Sequence, residues 1–246
     1  MNSIIIKKNK IIKFIEDSII VNYTKSSSEF EISLLEIDVL GDTSLKLDYI
    51  DNEKIDVRIN LNDNTKLELY ETRKSSYSKI QYKYYLEDNT ELNLNKFYDI
   101  EKLKELNVIY LEGVNSKINY NFSSIAKDKT EINIITYHSA KSDSFIKNRV
   151  INCLNGTTTI KTTDIVYSGI KNCKVRQDDK IINLNDNNCI IEPKLIIDED
   201  DTDAKAVSEI KKDKNLYKFI YVDIKDDKRI KKSLEVIKWI EKIFLY

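Results

Sequence analysis

Three cysteines, Cys153, Cys173 and Cys189, carry the most reactive side chains of this 246-residue chain. They lie on successive predicted strands, and residues on stacked strands of a coiled sheet approach one another to about 5 Å. If the three cluster, their thiolates are natural ligands for an iron–sulfur centre. The more common role of a free cysteine is that of a small buried apolar residue. Both roles stay open from the sequence.

The chain has a single histidine, His138, so any Ser-His-Asp site or histidine-based metal site has to use it. A lone histidine in a strand is more often an ordinary surface or core residue. No cysteine pair has the spacing of a structural zinc site. We therefore predict neither a hydrolytic triad nor a zinc centre.

Two further stretches superficially resemble ligand loops. The acidic run 198–203 lacks the glycine and the terminal glutamate of an EF-hand loop, and we expect a solvated turn there. Gly156 precedes Thr-Thr-Thr-Ile-Lys, which lacks the second glycine and the Gly-Lys-Ser/Thr ending of a phosphate-binding loop. The sequence thus predicts a protein that is not an enzyme and does not itself hydrolyse ATP.

The charges nearly cancel, with 40 basic and 41 acidic residues. This balance indicates neither nucleic-acid binding nor attraction to a membrane surface. Lys7, Lys8 and Lys10 interrupt the apolar start, so no secretory signal is predicted, and an odd number of widely spaced cysteines does not make a disulfide framework. We expect a cytoplasmic protein.

The elements that must position these residues are mainly strands. Apolar residues alternate with polar ones over 45–49, 55–61, 80–84 and 118–122, which is typical of half-buried strands. The spacing fits a sandwich, a barrel or a β-helix. Asn/Asp pairs between the runs, at 51–52, 63–64 and 88–89, predict hairpin turns, and a hairpin-built sheet is antiparallel.

Helical spacing predicts a tail. Ile230, Leu234 and Ile237 recur at three- and four-residue steps after an acidic first turn. Leu216, Phe219 and Ile220 suggest a shorter helix before them, and one or two helical turns are expected over 99–106. The predicted organisation is a β-rich part over 1–212 with a short N-terminal helical segment, followed by a helical region over 213–246.

A motif series near the C-terminus resembles the SufB/SufD family, the non-catalytic scaffold proteins of the SUF iron–sulfur cluster assembly machinery. The family shows a Gln-rich entry, an apolar pair, an Asp-containing turn, Pro-x-Leu-x-Ile and an Asp-Asp segment. The matching stretches here, in order, are Tyr167–Ile170, Gln177, Ile181-Ile182, Asn185-Asp186, Pro193–Ile197, Asp200–Thr202 and Ala204–Ser208. They span roughly the last two fifths of the chain.

Two positions depart from the family pattern. Asp178 stands where SufB proteins carry a cysteine, and Ala206 stands where the family has a histidine. The segment between Gly169 and Gln177 is also shorter than usual. These departures favour a short, divergent SufD-like member over a cluster-holding SufB.

The resemblance implies a right-handed parallel β-helix, and the predicted hairpin turns add antiparallel pairs near the N-terminus as an alternative for that region. It implies a SufC-type ATPase docked on the C-terminal helices and, as second partner, a SufB-type subunit or another copy of this chain. It also implies that no cofactor binds tightly to the chain alone and that an iron–sulfur cluster is held only transiently in the complex. The docking residues would be Leu216, Phe219, Ile220, Ile230, Leu234 and Ile237.

Two rival hypotheses remain. One is a β-solenoid with a structural or binding role outside iron–sulfur biology. The other is an enzyme of the pectate-lyase type, which needs clustered carboxylates on one face. Asp178 and Asp179 are the only hint of such a cluster, and strand alternation places them on opposite faces.

Overall fold

A computed structural model gives the fold. It describes residues 2–7, 10–15, 18–25, 32–50, 54–153 and 155–212. All regular elements in these ranges are strands, so the described residues hold no helix long and apolar enough to cross a membrane. The predicted helical region over 213–246 lies outside the described residues.

The described strands wind into a parallel β-solenoid of about seven turns. Their bounds are β1 Asn2–Lys7, β2 Lys10–Phe14, β3 Ile19–Thr24, β4 Ser33–Val39, β5 Thr43–Ile50, β6 Lys54–Leu61, β7 Lys66–Leu86, β8 Glu91–Leu111, β9 Ser116–Ala126, β10 Lys129–His138, β11 Ser142–Asn152, β12 Thr157–Val166, β13 Lys174–Asn183, β14 Cys189–Ile197 and β15 Asp203–Lys212.

Two faces enclose the interior. Face A stacks β1, β5, the first half of β7, the first half of β8, β9, β11, β13 and β15, all parallel. Face B stacks β4, β6, the second halves of β7 and β8, β10, β12 and β14. The predicted antiparallel pairs are confirmed at the N-terminal end, where β2 pairs with β1 and β3 with β4.

Apolar side chains fill the interior. They alternate with polar ones along each strand, and every second side chain of a strand points to the same face. Face A contributes Leu67, Leu69, Leu92, Leu94 and Ile118, and face B contributes Ile55, Val57, Ile59, Leu61, Ile80, Leu86 and Ile132, each at most 2 % exposed. These side chains belong to one continuous core. Burial of such apolar rows is the main stabilising contribution to the fold.

An asparagine ladder forms the corner that leads from face B to face A. Asn64, Asn89 and Asn115 each adopt a left-handed backbone, with φ of 60°, 54° and 60°. The side-chain amides of Asn89 and Asn115 each donate to the side-chain carbonyl of the asparagine one coil below, over 3.1 Å from Asn89 to Asn64 and 3.1 Å from Asn115 to Asn89. The turns predicted at 63–64 and 88–89 are therefore confirmed as turns, but they join the two faces of a coil and are not antiparallel hairpins.

A tyrosine ladder runs up the outside of face B. Tyr85, Tyr110, Tyr137 and Tyr167 stack with centroid separations of 4.8, 5.4 and 6.1 Å. The two inner rings, Tyr110 and Tyr137, thus stack against a tyrosine above and below, whereas Tyr167 at the end of the ladder is 47 % exposed. The ladder joins adjacent coils through side chains as well as through the main chain.

Two expectations about helices need correction. Residues 99–106 lie within β8 and not in a helical turn. The strand bends there between the faces, so Phe97, Tyr98, Asp99 and Ile100 are all buried in succession, and this break in alternation imitates helical spacing. The N-terminal part, where a short helical segment is expected, forms strands in its described residues.

Gly113 marks the closest backbone approach at the asparagine corner. A Cβ at this position would lie 2.1 Å from the backbone nitrogen of Asp88, well inside van der Waals contact. We expect Gly113→Ala to lower the free energy of unfolding by about 1–3 kcal/mol, because the added methyl group forces the two coils apart locally. Thermal unfolding of the full chain checks this.

The matched control is Gly41→Ala, because the nearest atom to its added Cβ is 3.9 Å away. It should leave the unfolding temperature nearly unchanged. Equal unfolding temperatures for the two variants would contradict the coil spacing described here.

Candidate functional site

Charged side chains occupy the middle of the solenoid, where faces A and B are otherwise apolar. Lys96 from face A donates to Glu105 Oε1 over 2.7 Å and to Asn107 Oδ1 over 2.9 Å, both from face B. The side chains of Lys96 and Glu105 are fully buried. The Lys96 ammonium also lies 3.4 Å from the centre of the Tyr82 ring, a geometry that stabilises a desolvated cation.

A second carboxylate adjoins this pair. Glu71 Oε1 accepts hydrogen bonds from the hydroxyls of Tyr82 and Tyr98, and the Arg73 guanidinium lies 3.7 Å from the centre of the Tyr49 ring. Burial raises the pKa of Glu71, while the charges of Lys96 and Arg73 act in the opposite direction. Two cations and two carboxylates thus share one water-excluded cluster, which we call the tyrosine box.

The contacts of the tyrosine box are those of a structural network, because its groups point inward and bind one another through Glu71 Oε1 and Glu105 Oε1. The second oxygen of each carboxylate is buried without a hydrogen-bond partner. We expect Lys96→Met to lower the free energy of unfolding by about 3–5 kcal/mol, since it leaves the Glu105 carboxylate buried without its ammonium. The double change Lys96→Met with Glu105→Gln should recover most of the loss. Chemical denaturation measures both.

Lys161→Met serves as the control for that experiment. Lys161 pairs with Glu192 over 2.7 Å, yet about half of each side chain is exposed, and exposed pairs contribute little. A Lys96→Met protein as stable as Lys161→Met would show that the tyrosine box is not an ionic cluster.

A second polar group lies nearer the C-terminal end. Asp179 of β13 accepts hydrogen bonds from Asn148 Nδ2 over 2.7 Å and from Thr162 Oγ1 over 2.9 Å. Burial raises the pKa of Asp179 to about 6, and these two hydrogen bonds only partly oppose it. The folded protein therefore binds this proton more tightly than the unfolded chain does.

The sign of the pH dependence follows from that shift. The buried carboxylate destabilises the fold progressively as the pH rises from about 4 to about 6, and the penalty is constant above. Asp179→Asn keeps the shape and removes the charge. We expect it to stabilise the protein by about 1–3 kcal/mol at pH 7 and by little at pH 4.

Asp178→Asn is the neighbouring control, because Asp178 points outward and pairs with Arg149. Unfolding curves at pH 4, 5, 6 and 7 compare the two variants with the parent chain. A gain in stability from Asp179→Asn that is equal at all four pH values would rule out the buried ionisation.

The three cysteines do not come together. Cys153 follows the C-terminal end of β11, whereas Cys173 precedes the N-terminal end of β13, the strand paired with β11. The length of these strands, about ten residues or about 30 Å, therefore separates Cys153 from Cys173. Cys189 lies at the Cys153 end, where Asn152 Nδ2 donates to its sulfur over 3.3 Å. The described residues contain no group of three metal-ligating side chains.

The C-terminal end of the solenoid is open in the described part of the chain. Strand β14 pairs only with β12, and β15 pairs only with β13. Ile210 of β15 is in register with Ile181, yet Ile210 is 44 % exposed and Ile181 is fully buried. We call β14 and β15 the C-terminal edge. Pro193 lies on it, as expected of a residue without a main-chain donor.

The motif that resembles SufB/SufD builds this end. Gln177 points inward and donates from Nε2 to Asp164 Oδ2 over 2.6 Å and to the Lys194 carbonyl over 3.1 Å, so it ties faces A and B together. Ala206 is the partner of Gln177 on β15, and Asp178 is the partner of Val207. The positions that depart from the family motif are thus neighbours on adjacent strands.

Other predicted positions are readily placed. The acidic run lies between β14 and β15, where Glu199 Oε1 accepts the Gly169 amide over 2.7 Å and Asp203 pairs with Arg176. A turn is therefore confirmed there. The predicted docking residues Leu216, Phe219, Ile220, Ile230, Leu234 and Ile237 lie outside the described residues.

Sequence reasoning missed Lys96, Glu105 and Asp164 as interior residues. The signal that could have found Asp164 is the length of one coil, because it lies 26 residues after His138 and contacts it. No protein-family model and no curated protein sequence matches the chain.

Proposed function

We propose that this protein is a non-catalytic scaffold subunit of a SUF-type iron–sulfur cluster assembly complex. The support is that the motif series resembling SufB/SufD coincides with the last coils of a parallel β-solenoid, the architecture which that resemblance implies. On this proposal the solenoid is right-handed and carries a helical region over 213–246. The protein acts in the cytoplasm and binds neither nucleic acid nor membrane.

The C-terminal edge supports a role in subunit pairing. Among the described strands, β14 and β15 each pair on one side only, and exposed sheet edges are templates for pairing with another chain. Ile210 and Val207 add exposed apolar surface. We assign this edge to a SufB-type subunit or to a second copy of this chain. The second partner, a SufC-type ATPase, would dock on the helical region.

The proposal includes no tightly bound cofactor on the chain alone. Asp178 and Ala206 supply neither a thiolate nor an imidazole at the motif positions, so an iron–sulfur cluster would be held transiently and mostly by the partner subunit. The chain would shape and support the complex and would perform no chemistry on the cluster.

Co-expression of the full chain with the SufC-type ATPase of the same organism tests the partnership. We expect a stable complex on size exclusion, and we expect Leu234→Asp with Ile237→Asp to abolish it, because the apolar stripe of the helical region is lost. Ile12→Asp at the opposite end of the solenoid is the control, since Ile12 is also an exposed apolar residue.

Pairing at the C-terminal edge is tested separately. Ile210→Lys should weaken self-association or binding of a SufB-type subunit at least tenfold, while Ile12→Lys should not. If the chain binds neither partner in any of these experiments, the proposal fails and a solenoid unrelated to iron–sulfur assembly is the better interpretation.

A further inference from the structure

Cys173 lies at the corner between β12 and β13 in a setting unlike that of an ordinary buried cysteine. Its thiol lies close enough to the His138 ring and to Ser142 for both residues to lower its pKa. Its sulfur is also 3.7 Å from the Ala140 carbonyl oxygen. Groups from β10, from β11 and from the connection between them thus surround one sulfur, and the Ala140 carbonyl in that connection accepts from the thiol.

A carboxylate supports the histidine. The fully buried side chains of His138 and Asp164 form an ion pair, with Nε2 3.4 Å from Oδ1. His138 Nδ1 lies 2.9 Å from Ser142 Oγ. Asp164 is itself held by hydrogen bonds from Ser144 Oγ over 2.7 Å and from Gln177 Nε2 over 2.6 Å. The result is a histidine held between Ser142 and Asp164 and close to Cys173, with the aspartate fixed by two further donors.

The electrostatics separate Cys173 from the other two thiols. Burial raises the pKa of Cys153 to about 11 and also raises that of Cys189. Burial acts on Cys173 in the same direction, but the hydrogen bonds from His138 and Ser142 outweigh it and lower its pKa. Burial likewise disfavours the imidazolium of His138, yet its hydrogen bonds to Asp164 and Cys173 raise the pKa of His138 to about 9. Both shifts favour a thiolate beside an imidazolium.

Cys173 is only 1 % exposed, but it lines a polar surface cavity of about 460 Å³. The approach to the sulfur therefore favours small reagents over bulky ones. No described cysteine lies near enough to form a disulfide with Cys173, because Cys153 and Cys189 are at the far end of the strands. The charged residues around the cavity are Lys117, Lys141, Lys174, Asp143, Asp201 and Asp203.

We propose that Cys173 and His138 form a nucleophilic thiolate–imidazolium pair that small hydroperoxides oxidise reversibly to a sulfenic acid. The thiolate attacks the terminal oxygen of the hydroperoxide, a sulfur–oxygen bond forms and the O–O bond breaks. Sulfur loses two electrons, which reduce the peroxide, and the departing alkoxide or hydroxide takes its proton from His138. An external thiol then forms a mixed disulfide with release of water, and a second thiol regenerates Cys173.

The three cysteines of the native chain provide an internal comparison. The full chain is treated with hydrogen peroxide at pH 7 in the presence of dimedone, and labelled peptides are quantified by mass spectrometry over time. We expect Cys173 to be labelled at least about tenfold faster than Cys153 or Cys189, because only the thiolate reacts. In denaturant the three rates should converge.

His138→Gln tests the pairing. It should slow labelling of Cys173 about tenfold at pH 7 and move the midpoint of its pH–rate profile upward, since the thiolate loses its cation. Cys189→Ser should leave labelling of Cys173 unchanged. If His138→Gln does not fold, the comparison within the native chain still decides. Equal rates for the three cysteines in the folded protein would overturn the proposal. This outcome is independent of whether the chain binds an ATPase or a second subunit.

Discussion

Main-chain hydrogen bonding between parallel coils is the constraint on which the rest of this structure depends. It holds the strands of successive coils in register, so each interior side chain sits directly above its equivalent in the previous coil. One such row on face A runs Leu47, Glu71, Lys96, Phe122, Asn148, Asp179. A polar residue in a row must find its partner across the interior or from the next coil, because water is excluded. The tyrosine box and the contacts of Asp179 are two solutions to this requirement.

The same constraint explains which features the sequence could predict. Alternation at 45–49 or 55–61 reports one face directly, so the strands and the overall β class were predictable. The coil repeat was not predictable from the sequence, because equivalent interior positions differ in type. The row on face A that contains Glu71 and Lys96 changes from apolar to charged between one coil and the next. Where the chain bends within β8, five consecutive residues, 96–100, are buried, and local periodicity then suggests a helix. The partner of Lys96 could not be inferred, since it depends on where that bend falls.

The two ends of the solenoid are not equivalent. At the N-terminal end β2 and β3 fold back antiparallel onto β1 and β4, which ends the parallel pairing. At the other end β14 and β15 have no such covering strands among the described residues. The asymmetry gives the proposed scaffold a direction, because among the described strands only those at the C-terminal end are parallel strands open to extension. Cys173 lies just inside that end, so a partner seated on β15 would also be close to the cavity of this thiol.

Coil length has a consequence for the gene that encodes this chain. Contacting residues one coil apart are separated by 25 and 26 positions at the asparagine corner, but by 31 between Asn148 and Asp179. The extra residues fall between strands, because one codon inserted within a strand would turn every later interior side chain outward. Small insertions and deletions are therefore tolerable only at the corners. A whole coil, by contrast, can be duplicated or lost as a unit of about 25 codons without disturbing the register of its neighbours.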